Sequence, residues 1–222
     1  MENVNLVKHP IVQELITDLR DVTTNTHLFR IYSRQLATFL LYEALVDVDT
    51  EAKNVETQTG FKYKGIKFSK KVAFVCILRA AMGMFFTAME VFPQEEFHAV
   101  GVKRNEDDPF NIKPNFYLDR LHEISSKVDR VVVMDPMLAT GSSAIRVVKA
   151  LKEGYKFKSS VDFVCYIEAK PGVRTIQSIY PDVKITFAGI DEKLNDKAFI
   201  VPGLGDTGDK FFGIETDLGT IR

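Results

Sequence analysis

The stretch VVVMDPMLATGSS, Val131–Ser143, decides the fold. Four apolar residues run into Asp135. A short loop, Pro136, Met137, Leu138 and Ala139, leads to Thr140, Gly141, Ser142 and Ser143, and an amphipathic segment begins at Ala144. The pattern is a buried strand, a turn of small and hydroxyl residues, and a helix. Such a turn offers backbone N–H groups at a helix N-terminus, where hydrogen bonding and the helix dipole both favour a phosphate. In open α/β sheets ligands bind outside the carboxyl ends of the strands, which is where Asp135 falls. Neither the Gly-Lys-Ser/Thr of a Walker loop nor the Gly-x-Gly-x-x-Gly of a dinucleotide site is present. An acid followed by Thr-Gly-Ser suits a sugar phosphate, with hydroxyls on the carboxylate and the 5′-phosphate on the loop. The plainer reading is a strand-to-helix turn capped by Ser or Thr.

Working outward, five runs read as strands: Val72–Leu78, Phe97–Lys103, Val131–Asp135, Val161–Ile167 and Val183–Ala188. Helical spacing marks Pro10–Leu19, His27–Val48, Ala80–Phe92, Ala144–Glu153 and Gly172–Tyr180. Continuous apolar strands alternating with helices predict an α/β fold, a mainly parallel five-stranded sheet covered by helices. Asp47–Lys71 reads as loops with room for a short hairpin. Asn105–Val128 breaks the rhythm and reads as an excursion, a hairpin arm.

The totals narrow the function. The chain has 222 residues, 45% hydrophobic and 27% charged, with net charge −1, enough for one α/β domain. A pI near 6.4 and dispersed lysines disfavour nucleic-acid binding. No apolar run is long enough to span a bilayer, and the start lacks a signal peptide's apolar core. Cys76 and Cys165 fall in apolar strand-like runs, as buried reduced thiols of a cytoplasmic protein would. The four histidines show no metal-ligand spacing, and no metal ligand is assigned.

Two arginines follow strands directly, Arg79 in LRAAMGM and Arg104 in VKRNEDD. If both strands neighbour Val131–Asp135, both guanidinium groups stand at the phosphate-loop edge, where they could clamp a diphosphate. Taken singly, each reads as a solvated strand-end charge. The segment GIDEKLNDKAFIVPGLGDTGDKFFG, Gly189–Gly213, is rich in glycine but carries Phe199, Ile200, Leu204, Phe211 and Phe212, too apolar for a disordered tail. An ordered Gly-rich loop lets backbone approach a flat ligand closely.

DPMLATGSS, preceded by LRAAMGM and followed by FIVPGLGDTGDKFFG, closely resembles the uracil phosphoribosyltransferases, over nearly the whole chain. The resemblance implies a type I phosphoribosyltransferase-like core at roughly 66–189 and a base-binding hood at 190–213 with the N-terminal helices, in a single domain spanning 1–222. It implies transfer of phosphoribose from 5-phosphoribosyl 1-diphosphate (PRPP) to N1 of uracil, giving UMP and diphosphate in pyrimidine salvage. Mg²⁺ is expected on the diphosphate, and a homodimer or larger oligomer as the assembly, with the Asn105–Val128 excursion as a candidate contact; GTP is a candidate activator. Residue by residue, Asp135 through Ser143 look like the PRPP loop, with Asp135 facing the ribose hydroxyls. Arg79 and Arg104 look like the diphosphate-side arginines. Ile200, Gly205, Asp206 and Thr207 look like the uracil contacts, Asp206 also near the donor. Arg79, Arg104, Asp135 and Asp206 are thus the expected catalytic set.

The chemistry is coherent with those assignments. Uracil shows acceptor, donor and acceptor along O4, N3–H and O2, a pattern that backbone groups of a rigid Gly/Pro loop can match. Cytosine would leave buried groups unpaired, a mismatch worth roughly 10⁴-fold or more in discrimination. Some positions depart from the family's pattern. Ala81 stands where glycine is expected, at a cost of about 1 kcal/mol if that turn needs positive φ. Ser142, Lys193 and Ala198 stand in place of small or glycine residues, Phe199 in place of Tyr, and Thr207 in place of Ala. The competing readings are a regulatory or inactive homologue, which would draw on Ala81 and Lys193, and a transferase for another base, against which FIVPGLGDTGD argues.

Overall fold

The computed structural model describes residues 3–103 and 115–214. Its main sheet has seven strands in the order β1 (Val4–Leu6), β11 (Lys184–Phe187), β9 (Ser160–Val164), β7 (Arg130–Met134), β4 (Val72–Leu78), β5 (Glu96–Lys103) and β6 (Asn115–Asp119). Every pairing in it is parallel except β5 with β6. The fold class stands as expected, but the strand count is corrected from five to seven. The five expected strands stand side by side as β11-β9-β7-β4-β5, and each edge carries one more. At three residues β1 is too short for periodicity to reveal, and β6 lies inside the excursion that broke the strand–helix rhythm.

The near-continuous apolar runs follow from burial on both faces. In β4, Val72, Phe74 and Cys76 join the core under α1 (Pro10–Arg20), α2 (Thr26–Ala44) and α3 (Met82–Val91). Ala73, Val75 and Ile77 join the opposite core under α4 (Ser142–Lys149) and α5 (Lys170–Ile179). Phe74 stacks on Phe92 and Phe97, ring centroids 5.1 and 5.4 Å apart. Burying a side chain of this size contributes roughly 1.5–3 kcal/mol. The start of α2 is set by Asn25, whose side chain accepts from Leu28 N at 3.0 Å. The helix ends at Ala44, short of the expected Val48.

Between α2 and β4 the chain forms a long hairpin, β2 (Thr50–Glu56) with β3 (Lys62–Phe68), paired from Thr50↔Phe68 to Glu56↔Lys62. All its strand residues except Gly65 are exposed. Of the expected excursion, residues 104–114 lie outside the described residues, and Asn115–Asp119 returns as β6 against β5.

Three strands of the main sheet continue, after a short break, into a second parallel sheet at their carboxyl ends. There β8 (Met137–Leu138), β10 (Ile167–Ala169) and β12 (Gly189–Asp191) pair in the order β12-β10-β8. The expected single run Val161–Ile167 is therefore two strands, β9 and β10. Beyond them β13 (Lys193–Leu194) pairs antiparallel with β14 (Ile200–Val201), and α6 (Thr207–Phe212) follows. No helix among the described residues is long and apolar enough to cross a membrane.

Candidate active site

The Asp135–Ser143 segment leaves the end of β7 as expected. Asp135 is 6% exposed, and its backbone N–H donates to Val164 O at 3.2 Å. Pro136 O accepts from Tyr166 N and Ile167 N, at 2.9 and 3.2 Å, so the loop is fastened to the β9–β10 junction. Met137 and Leu138 form β8 against β10. Gly141, at φ +83°, is the N-cap of α4, with no side-chain cap bond. Thr140 Oγ1 and Ser142 Oγ lie 3.0 Å apart, and Ser142 N donates to Thr140 Oγ1 at 3.3 Å. The turn thus sets Thr140, Ser142 and the buried Ser143 around the open N-terminus of α4, where an anion is favoured.

Gly172, in the first turn of α5, is a residue that sequence reasoning did not single out for the loop. A Cβ there would stand 2.5 Å from Ala139 O and 2.9 Å from Leu138 O. Only glycine lets α5 press so closely on the backbone behind the turn.

Arg79 follows β4, the sheet neighbour of β7, and is largely exposed. The peptide joining it to Leu78 is cis. Its Nη2 lies 3.5 Å from Asp209 Oδ1, and its guanidinium stands 5.7 Å from the Phe212 ring centroid. Gly208 abuts Ala80, and Gly83 lies beneath the Phe211 ring. The sheet-edge arginine and α6 are thereby brought together. Arg104 lies outside the described residues.

Ile200 is buried in β14. After the cis Val201–Pro202 bond the chain turns through Gly203 and Gly205, at φ +68° and +73°. At Gly203 a Cβ would stand 2.1 Å from Ile200 O, so no other residue fits. Asp206 caps α6, its Oδ1 accepting from Asp209 N at 2.9 Å. Thr207 is 1% exposed, and its hydroxyl has no hydrogen-bond partner among the described residues.

Two further residues hold this loop and were not foreseen. Arg20, at the end of α1, meets Asp191 in a two-pronged pair at 2.8 and 3.0 Å. Arg20 also donates to Gly203 O, while Gly203 N donates to Asp191 Oδ2, each at 3.0 Å. The Arg–carboxylate fork is the strong, directional form of such a contact. Arg and Asp 171 positions apart carry no local spacing to reveal the pair.

Of the departures from the expected pattern, Ala81 is harmless to the backbone. It has φ −80° and is fully buried in the core. Ala198, by contrast, sits at φ +60°. Lys193 is exposed on β13. The two thiols are free and buried. Burial pushes both above the usual range, with Asp135 adding to each and Glu168 to Cys165, so neither is a ready nucleophile.

Residues 6–214 match the uracil phosphoribosyltransferase family. The chain is 40% identical over 210 residues to the uracil phosphoribosyltransferase of Dictyoglomus turgidum, covering 95% of this chain and 99% of that protein. It is 38% identical over 214 residues to that of Bacillus licheniformis, covering 96% and 99%. Among solved structures, the AQ2163 protein from Aquifex aeolicus superposes with a TM-score of 0.86 at 31% identity, over 96% of this chain and 100% of that one. The adenine phosphoribosyl transferase of Trypanosoma brucei, at TM-score 0.55 and 12% identity over 89% and 88% of the two chains, shares the fold. With a match that runs from β1 to the end of α6, the chain belongs to the uracil phosphoribosyltransferase family.

Proposed function

We propose that this chain transfers phosphoribose from PRPP to N1 of uracil, releasing diphosphate and forming UMP. One observation carries the assignment beyond family membership. A phosphate-shaped turn at the end of β7 and a glycine-rich loop anchored by Arg20 and Asp191 stand at the same carboxyl end of the sheet. Arg79 follows β4, the sheet neighbour of β7, and stands against α6.

In this reading Pro136, Met137, Leu138, Ala139, Thr140, Gly141, Ser142 and Ser143 hold the 5-phosphate, and Asp135 receives the ribose hydroxyls. Ile200, Gly205, Asp206 and Thr207 contact uracil, and residues 190–213 act as a hood on a single domain. Displacement at the anomeric carbon passes through a cation-like transition state. Catalysis comes from positioning the two substrates and from stabilising the departing diphosphate with Arg79 and Arg104. Mg²⁺, carried on the diphosphate, would neutralise the charge that develops there. No three His, Cys, Asp or Glu side chains gather into a cage among the described residues. An Mg²⁺ held mainly by substrate phosphate oxygens and water needs no such cage. No side chain is assigned as a base for the N1 proton.

The assembly is proposed to be a homodimer, with GTP as a candidate activator and the cytoplasm as the setting. The β2–β3 hairpin supports the dimer. A lone two-stranded hairpin is marginally stable in water, yet this one exposes Val55, Phe61, Tyr63, Ile66 and Phe68. Strand alternation puts Val55 and Tyr63 on one face and Ile66 and Phe68 on the other, so both faces offer apolar surface that a partner would cover.

The assignment is tested with Asp135→Asn. Loss of the carboxylate should lower kcat/KM for PRPP by about 10²-fold, in the range seen when one transition-state contact is removed. Unchanged kinetics would remove Asp135 from the site.

A further inference from the structure

Glu168 is fully buried, and neither carboxyl oxygen has a hydrogen-bond partner among the described residues. A carboxylate in that setting is costly, and an ionised one far more so. The residue is the centre of β10, with Leu138 of the phosphate loop as its partner in one register and Ile190 of β12 in the other. Its neighbours Ile167 and Ala169 belong to the core under α1–α3. Alternation along the strand therefore turns Glu168 to the other face, the side of Leu138, Cys165, Ala144 and Val173. There it lies one strand behind the loop, beside Leu138 and two residues before the start of α5, which has no side-chain cap bond.

The ionisable groups on the surrounding elements are Cys165 before β10, Asp135 after β7, Arg146 and Lys149 on α4, Lys170 and Arg174 on α5, and Asp191 on β12. None hydrogen-bonds to Glu168. Lys170 pairs with Glu192, and Asp191 with Arg20.

We propose that Glu168 is a positioning residue for the phosphate-binding loop, which takes its anionic ligand tightly only while the Glu168 carboxyl keeps its proton. The inference rests on the loop being the 5-phosphate site. Burial alone raises the Glu168 pKa to about 8, so the group is neutral at neutral pH and ionises under mildly alkaline conditions. Adjacent strands stand about 4.8 Å apart. A negative charge one strand behind the loop then opposes a phosphate by on the order of tenfold in affinity, taking a dianion at roughly 10 Å, an effective dielectric of about 20 and a Debye length of about 10 Å. Reciprocally, a bound phosphate favours the protonated acid.

The test is direct binding of PRPP, without uracil, at pH 7 and pH 9.5, to the wild-type chain, E168Q, E168L and T140A. The wild-type Kd should rise about tenfold between the two pH values. In E168Q and E168L the ratio should stay within about twofold. A wild-type rise that persists in both variants overturns the proposal. T140A should bind more weakly at both pH values while keeping the wild-type ratio; unaltered affinity in T140A would instead overturn the phosphate-loop reading. A measurement on the wild-type chain alone guards against variants that do not fold. At pH 8.5, calorimetry in buffers of different ionisation enthalpy should show proton uptake on PRPP binding, and no uptake would also overturn the proposal.

Discussion

Ala198 is the clearest residue-scale liability. It holds φ +60° in the β13–β14 turn, where its N–H donates to Asn195 O at 2.9 Å. The left-handed region costs an L-residue with a Cβ roughly 1 kcal/mol, partly offset by the chain entropy that glycine loses on folding. Ala198→Gly should raise the unfolding free energy by about 0.5–1 kcal/mol, read from denaturant midpoints at constant m. Glu168 gives a second prediction. Its pKa is 4.5 in the unfolded chain and about 8 in the folded one. Between those values the folded protein holds a proton that the unfolded chain has released. The stabilisation is therefore complete below pH 4.5 and is lost as pH rises to 8. Thermal unfolding of E168Q should decline less between pH 5 and 8 than that of the wild-type chain. Equal declines would mean that the carboxyl is solvated. Ala198 was legible only as a departure from the family's small or glycine residues, and the isolation of Glu168 was not legible at all. Glu168 reads as one acid after an apolar run, and its isolation exists only once β8, β10 and the two helices close around it.

At the scale of elements, the phosphate turn depends on α5 as much as on its own residues. Gly172 sets the approach of α5 to Leu138 O and Ala139 O. Gly172→Ala should push the helix away from the loop, costing about 1–3 kcal/mol in stability, as overpacking does. It should also raise KM for PRPP more than KM for uracil. A stability loss with equal changes in both KM values would separate Gly172 from the loop. The turn was readable because strand, acid, Thr-Gly-Ser and helix are consecutive. The five central strands were readable because burial on both faces leaves unbroken apolar runs. The second small sheet was not, because β8, β10 and β12 are two or three residues long and look like the tails of the strands before them. The Arg20–Asp191–Gly203 tie was hidden for the opposite reason, since its partners are remote in the chain and meet only through the fold.

At the scale of the molecule, the β2–β3 hairpin stands out because its strands find almost no cover among the described residues. Replacing residues 52–66 by a short turn should convert a dimer to a monomer in sedimentation velocity while leaving the far-UV spectrum of the α/β core intact. A dimer that survives would move the interface elsewhere. Asn105–Val128 reads as an arm from its acidic, Pro-punctuated start, and its residues 105–114 lie outside the described residues. In the β2–β3 hairpin the apolar phase slips across Gly65, from Tyr63 to Ile66 and Phe68, so neither face reads as consistently apolar and the strand pattern is blurred.

The central claim is that the turn at Asp135–Ser143 and the loop at Ile200–Thr207 serve one reaction between PRPP and uracil. Its most direct measurement is diphosphate release by the purified full-length chain with PRPP and Mg²⁺, supplied in turn with uracil, cytosine, orotate, hypoxanthine and adenine. The account predicts release with uracil, with UMP formed in equal amount, and with cytosine at least about 10⁴-fold slower. Release with another base in preference to uracil, or none with any base from folded protein that binds PRPP, would contradict it.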